Sequence, residues 1–226
     1  NGDEWLTKWD LETPVSQWHG IKVHNNRVVA IDLLENNLVG QLHESIGELQ
    51  YLQSLNLAFN LISGEIPQSI VKLHELKVLK LEMNRLVGKL PEYLGEMDSL
   101  EELSLFNNFL SGSIPESIGE LRNLKILNLS SNGITGQIPE SIGNLIFLES
   151  LGLFQNELEG NVPPDMGKLT NLRELVMANN QLEGEIPAEF TQLAKLEILQ
   201  IQNNNFRSLL NLDRLDSEQF LVMDYD

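Results

Sequence analysis

The chain has 226 residues, 43 of them leucine, and carries 33 acidic against 15 basic residues for a net charge of −18. A field of that sign repels phosphate backbones and anionic lipid heads, which argues against nucleic acid and acidic membranes as partners. Cysteine is absent, removing disulfides and thiolate chemistry, and no apolar run approaches the roughly 20 residues that cross a bilayer, so no membrane insertion is expected of this segment.

In chain order, residues 1–27 read as an N-terminal cap. Asp3 is placed to cap a short helix that sets Trp5 and Trp9 on one face and stops before Pro14, with Trp18 packing beneath. Asn25-Asn26 separates two alternating apolar stretches, 21–24 and 27–33, which predicts a tight hairpin turn with positive φ.

From 28 to 207 the chain repeats with a period of 24, without insertion or deletion, as eight asparagines show: Asn36, Asn60, Asn84, Asn108, Asn132, Asn156, Asn180 and Asn204. The shared frame is LxxLxLxxNxLxGxIPxxIGxL. Its LxL core alternates with period two and predicts one short strand per coil. The asparagine follows where the chain turns inward, and a buried amide must be paired, here with backbone of its own turn and of the next coil. Gly and Pro end the strand region, and the following ESIG-like stretch suits a single 3₁₀ turn on the outer side. One coil buries too little to stand alone, so neighbours must stack and share a core.

Residues 208–226 read as a C-terminal cap. Ser208 and Asn211 replace the glycine and proline of the frame, but Phe220, Met223 and Tyr225 keep it, predicting a ninth strand at about 220–225. Asp224 and Asp226 would discourage further strand addition at that edge.

The repeat resembles the plant-type leucine-rich repeat family over residues 28–207. Trp18-His19-Gly20-Ile21-Lys22-Val23 is similar to that family's cap, in which a Trp-x-Gly-Val-x-Cys stretch leads into the first coil. Val23 stands at the cysteine position, and Val15 and Ser16 replace the usual paired cysteines. This cap must hold by packing alone, a departure that fits a bacterial, algal or protist member as well as a plant one. The resemblance implies an α/β solenoid: a right-handed superhelix with a parallel concave β-sheet and 3₁₀ turns on the convex side. It implies ligand reception, adhesion or inhibition of a secreted enzyme, at an extracellular or cell-surface location. The absence of cysteine also permits a cytoplasmic one.

Catalytic motifs are not found. His19, His24, His43 and His74 have no metal-ligand spacing, no phosphate loop or nucleophile elbow occurs, and no cofactor is implied. Stacking makes residues 24 apart neighbours on adjacent strands, so columns can be read across the surface. Seven places before the asparagine, Lys77, Glu101, Lys125, Glu149, Arg173 and Glu197 alternate in sign and read as a device that sets register. Two places before it, the column runs Leu34, Ala58, Glu82, Phe106, Ser130, Phe154, Ala178, Gln202, expected to point into the concave face. Phe106 and Phe154 flank Ser130, with Phe59, Met83 and Phe109 expected nearby and Asn128 and Val176 in the polar surround. Exposed aromatic clusters mark interfaces, so these eight residues form the candidate site for a protein or peptide, with cell-wall polysaccharide and a purely scaffolding role as alternatives. The sequon Asn128-Leu129-Ser130 reads as two strand columns rather than a glycan site.

Overall fold

A computed structural model describes Gly2, residues 4–208 and the backbone of strand Val222–Asp224. Each coil contributes the expected short strand, for example Ser54–Asn56, Val78–Lys80, Glu102–Ser104 and Ile126–Asn128. These pair in parallel at a shift of 24, Leu55 beside Leu79 and Leu103 beside Leu127. Among the described residues this sheet has ten strands. The last, Val222–Asp224, lies parallel to Ile198–Gln200 at the place where a ninth coil was expected, whereas Phe220 and Tyr225 fall outside the described residues.

The inward leucines of LxxLxL, typified by Leu124, Leu127 and Leu129, are fully buried, as is Ile118 of the outer turn. They belong to one apolar core that runs from coil to coil. The outer turns are 3₁₀, as in Glu116–Glu120 and Glu140–Asn144, and no α-helix occurs among the described residues.

The solenoid is more regular than the frame suggested, because a second parallel sheet of eight strands follows the asparagines, from Val39–Gln41 to Asn205–Ser208. Its strands pair at a shift of 22 rather than 24, as Val39 with Leu61 and Ser63 with Arg85, which places it obliquely across the coils.

The asparagine ladder forms, with one difference in direction. The Asn84 side-chain amide donates to the carbonyls of Leu81 in its own turn (3.1 Å) and Leu57 in the preceding coil (2.9 Å). Its oxygen accepts from Ile62 N–H, also of the preceding coil, at 2.9 Å. The partner coil is therefore the one before, not the one after. The same pattern repeats at Asn60, Asn108, Asn132, Asn156, Asn180 and Asn204.

Asn36 has no preceding coil, and the cap stands in for one. Thr7 gives its carbonyl to the Asn36 amide at 3.0 Å and its N–H to the Asn36 oxygen at 2.6 Å, while Leu6 N–H reaches the Asn36 carbonyl. This replaces the expected helix: backbone groups that would close helical turns are instead bonded to the first coil, a tertiary override of local propensity. Trp5 and Trp9 do meet, edge to face at 5.2 Å, and Trp9 stacks on Trp18 at 4.7 Å. Trp9 Nε1 donates to the His19 carbonyl, and Trp18 Nε1 to that of Asp10. An indole stack thus ties the cap together where Val15, Ser16 and Val23 offer no thiols. The hairpin forms as expected, with Ile21–His24 antiparallel to Arg27–Asp32 and both Asn25 and Asn26 at positive φ.

Candidate recognition site on the concave sheet

Phe106 and Phe154 lie two residues beyond strands Glu102–Ser104 and Ser150–Gly152, with only strand Ile126–Asn128 between those two. Two rungs of about 4.8 Å set the rings roughly 10 Å apart along the stack. Both rings are half-buried, so each keeps a face for solvent. Ser130, between them, is only 6% exposed. Its hydroxyl accepts from Phe154 N–H at 3.2 Å, and its own N–H donates to Asn128 Oδ1 at 3.1 Å. Ser130 is therefore floor rather than contact surface. Ala58 and Ala178 of the same column are likewise buried, each flanked by larger side chains.

Between the rings lies a hollow of about 300 Å³, lined also by Asn128, Val176, Glu174 and Gln200. Five of the eight sequence-derived residues (Phe106, Asn128, Ser130, Phe154, Val176) thus share one depression. Its lining includes Gly152, a residue the column reading passed over. A Cβ there would lie 2.7 Å from Asn128 Oδ1 and 2.8 Å from Ser130 Oγ, so these two polar side chains lean into the space that a side chain at 152 would need. In the columns two, four and six places before the asparagines, Gly152 is the only glycine. Ser150 and Glu174, also missed, line its side and bond one another, Ser150 Oγ donating to Glu174 Oε2 at 2.8 Å.

The other three residues lie elsewhere. Phe59 and Met83 occupy the position just before the ladder asparagine, where every coil has positive φ (both 55°). Left-handed backbone redirects the side chain away from the strand's alternation. Phe59 is half-exposed on that turn, and Met83 Sδ accepts from Asn107 Nδ2. Phe109 opens strand Phe109–Gly112 of the second sheet, 66% exposed, and lines a separate groove with Asn107, Ser131, Gln155 and Glu157.

Charge on the concave columns is predominantly negative: Asp32, Glu82, Glu102 and Glu174 against Lys80 alone. Lys80 is held by Glu102 at 2.8 Å, and that hydrogen bond raises its pKa. The alternating column at the sheet margin pairs as its signs require, Lys125 with Glu101 at 2.6 Å and Arg173 with Glu197 at 2.5 Å. Among the described residues no cluster of His, Asp and Glu could hold a metal ion, and no helix is long and apolar enough to cross a membrane.

With this geometry in view, the comparisons are consistent. A family profile described as a leucine-rich repeat region matches residues 33–128 and 108–217, most of the chain, which therefore belongs to the leucine-rich repeat family. Among solved structures, the chain is similar to the ectodomain of the Arabidopsis thaliana membrane receptor kinase GASSHO1/SCHENGEN3, in complex with CASPARIAN STRIP INTEGRITY FACTOR 2. The TM-score is 0.89 at 34% identity, covering 93% of this chain and 26% of that one. It is also similar to phytosulfokine receptor 1 of the same plant, 37% identical over 82 residues, 35% of this chain and 8% of the relative. Polygalacturonase inhibitor 1 of A. thaliana is 31% identical over 81 residues, 34% of this chain and 24% of the relative. The chain thus spans about a quarter or less of the length of these relatives.

Proposed function

We propose that the chain is a non-catalytic recognition module that takes an extended protein or peptide segment along its concave sheet. It would act outside the cell or at its surface as part of a receptor ectodomain, an adhesin or an inhibitor. The observation that carries the reading is the pair of half-buried rings, Phe106 and Phe154, lining one hollow of the concave sheet. Aromatic anchors beside a shaped depression with a polar rim are the usual composition of a binding hot spot. Two relatives add support: one is solved in complex with CASPARIAN STRIP INTEGRITY FACTOR 2, and another is named for inhibiting an enzyme.

The test is selection of extended peptides from a random library on the purified chain. Replacing Phe106 and Phe154 together by alanine is expected to weaken the selected peptides tenfold or more, about 1.4 kcal/mol or above. The melting temperature of the double variant, measured alongside, separates lost contacts from lost folding, since both rings are partly buried. Selected peptides that bind the double variant unchanged contradict the reading. A second reading, scaffold contact through the opposite strip, is favoured only by exposed Phe59, Val87 and Phe109, and predicts loss of binding on replacing Phe59 and Phe109 instead.

A further inference from the structure

Resting on that concave-sheet reading, we propose that the hollow over Gly152 is a cation subsite, which accepts an arginine or lysine side chain of the bound polypeptide between Phe106 and Phe154.

Three independent features of the hollow select that side chain. Its lining includes two phenyl rings set two rungs, roughly 10 Å, apart along the stack, and aromatic rings attract a cation as well as an alkyl stem. Its floor at Gly152 is covered by Asn128 Oδ1 and Ser130 Oγ, two oxygens that can accept from an inserted cation, where every neighbouring column position carries a side chain of its own. Its only charged wall is Glu174, which meets the Ser150 hydroxyl and, among the described residues, no cation in a salt bridge. Lys80, the one base in the concave columns, is already taken by Glu102. An acidic or C-terminal carboxylate group of a ligand would therefore meet Glu174 with no counter-charge in the hollow. An ammonium or guanidinium would gain a charge-assisted bond there, with its stem against Phe106, Phe154 and Val176.

The probes are seven-residue blocked peptide pools, randomised except at the centre, which is fixed as arginine, lysine, norleucine or glutamate. Binding to the full chain is read by fluorescence polarisation at physiological salt. The arginine and lysine pools are expected to bind about tenfold tighter than the norleucine and glutamate pools. Glu174→Gln should bring the arginine pool within about twofold of the norleucine pool, both measured on that same variant. Gly152→Val should abolish the preference with the net charge untouched, which separates a local subsite from the general field of an acidic chain. The proposal is overturned if the pools bind in a manner dependent on Phe106 and Phe154 but show no cationic preference. It is equally overturned if the preference survives in both Glu174→Gln and Gly152→Val. If no pool binds, or if binding ignores Phe106→Ala/Phe154→Ala, the concave-sheet reading itself fails and takes the subsite with it.

Discussion

At the scale of single residues, the ladder asparagines carry the strongest constraint. Asn108 is 6% exposed and serves carbonyls of its own turn and of the coil before, while its oxygen holds Leu86 N–H. Asn108→Ala leaves those backbone groups buried without partners, so a loss of about 2–4 kcal/mol is expected in urea unfolding, whereas an exposed control such as Asn123→Ala should cost less than about 1. This role was legible from period and residue type alone, since nothing else explains eight asparagines at one spacing. The direction of the bond was not legible, because it depends on where the amide sits within its turn. Nor was the displacement of Phe59 and Met83: φ is a property of the turn, and neither residue type announces a left-handed backbone. Gly152 escaped notice for the opposite reason. A column read for side chains overlooks the place where one is missing, and there Asn128 and Ser130 lean in over the bare backbone.

At the scale of the element, the outer 3₁₀ turn is built around close approach between coils. A Cβ at Gly119 would overlap the Ser141 carbonyl oxygen of the next turn, and the same holds at Gly95 with Ser117 and Gly143 with Asp165. Across this contact the serine hydroxyls bond carbonyls of the coil before, Ser117 to Glu92 at 2.6 Å and Ser141 to Glu116 at 2.8 Å. The glycine is replaced twice, at Val71 and at Thr191. Val71 stands at the glycine position and Tyr93 at the next serine position, and the turn there shrinks to Leu94–Glu96, against five residues in its neighbours. Gly119→Ala should therefore cost about 1–3 kcal/mol by overpacking, measured by urea unfolding, while Val71→Ala, already accommodated by a displaced turn, should show no such overlap penalty.

The marginal charge column is an element-scale device as well. The Lys125 ammonium, bonded to Glu101, holds that carboxyl below its ordinary pKa. A depressed carboxyl contributes stability that is complete above the ordinary carboxylate range and is lost as pH falls through the lowered value. The melting temperature of the wild type is therefore expected to exceed that of Glu101→Gln slightly at neutral pH, and the gap to close on acidification. A gap that widens in acid contradicts the pairing. The second sheet belongs to this scale too, and was not foreseen, because its strands lie after the asparagine at a shift of 22, and glycines such as Gly64 at φ 78° interrupt the alternation by which strands are recognised.

At the scale of the molecule, stacking turns a one-dimensional pattern into a surface. Identical rungs make the core nearly automatic, and the individuality of the chain is confined to the columns that face outward. There the concave sheet combines a negative field, a paired lysine and one aromatic hollow. The cap shows the same economy: the Trp5–Trp9–Trp18 stack and the Thr7 pairing to Asn36 close the end of the core without a disulfide. The position of the hollow was legible because Phe106 and Phe154 fall in one column, one coil apart from a serine. Its chemistry was not, since the Ser150–Glu174 hydrogen bond and the close approach at Gly152 depend on side-chain placement that the columns do not state.

The central claim is that the two rings act on one bound side chain across the hollow. A double-mutant cycle of Phe106→Ala and Phe154→Ala, read as the dissociation constant of a peptide selected on the wild-type chain, tests it directly. Rings that share one guest should couple by about 1 kcal/mol or more, each single replacement removing most of what the pair removes together. Losses that add to within about 0.3 kcal/mol, or that are absent, would show that the rings do not work as one site.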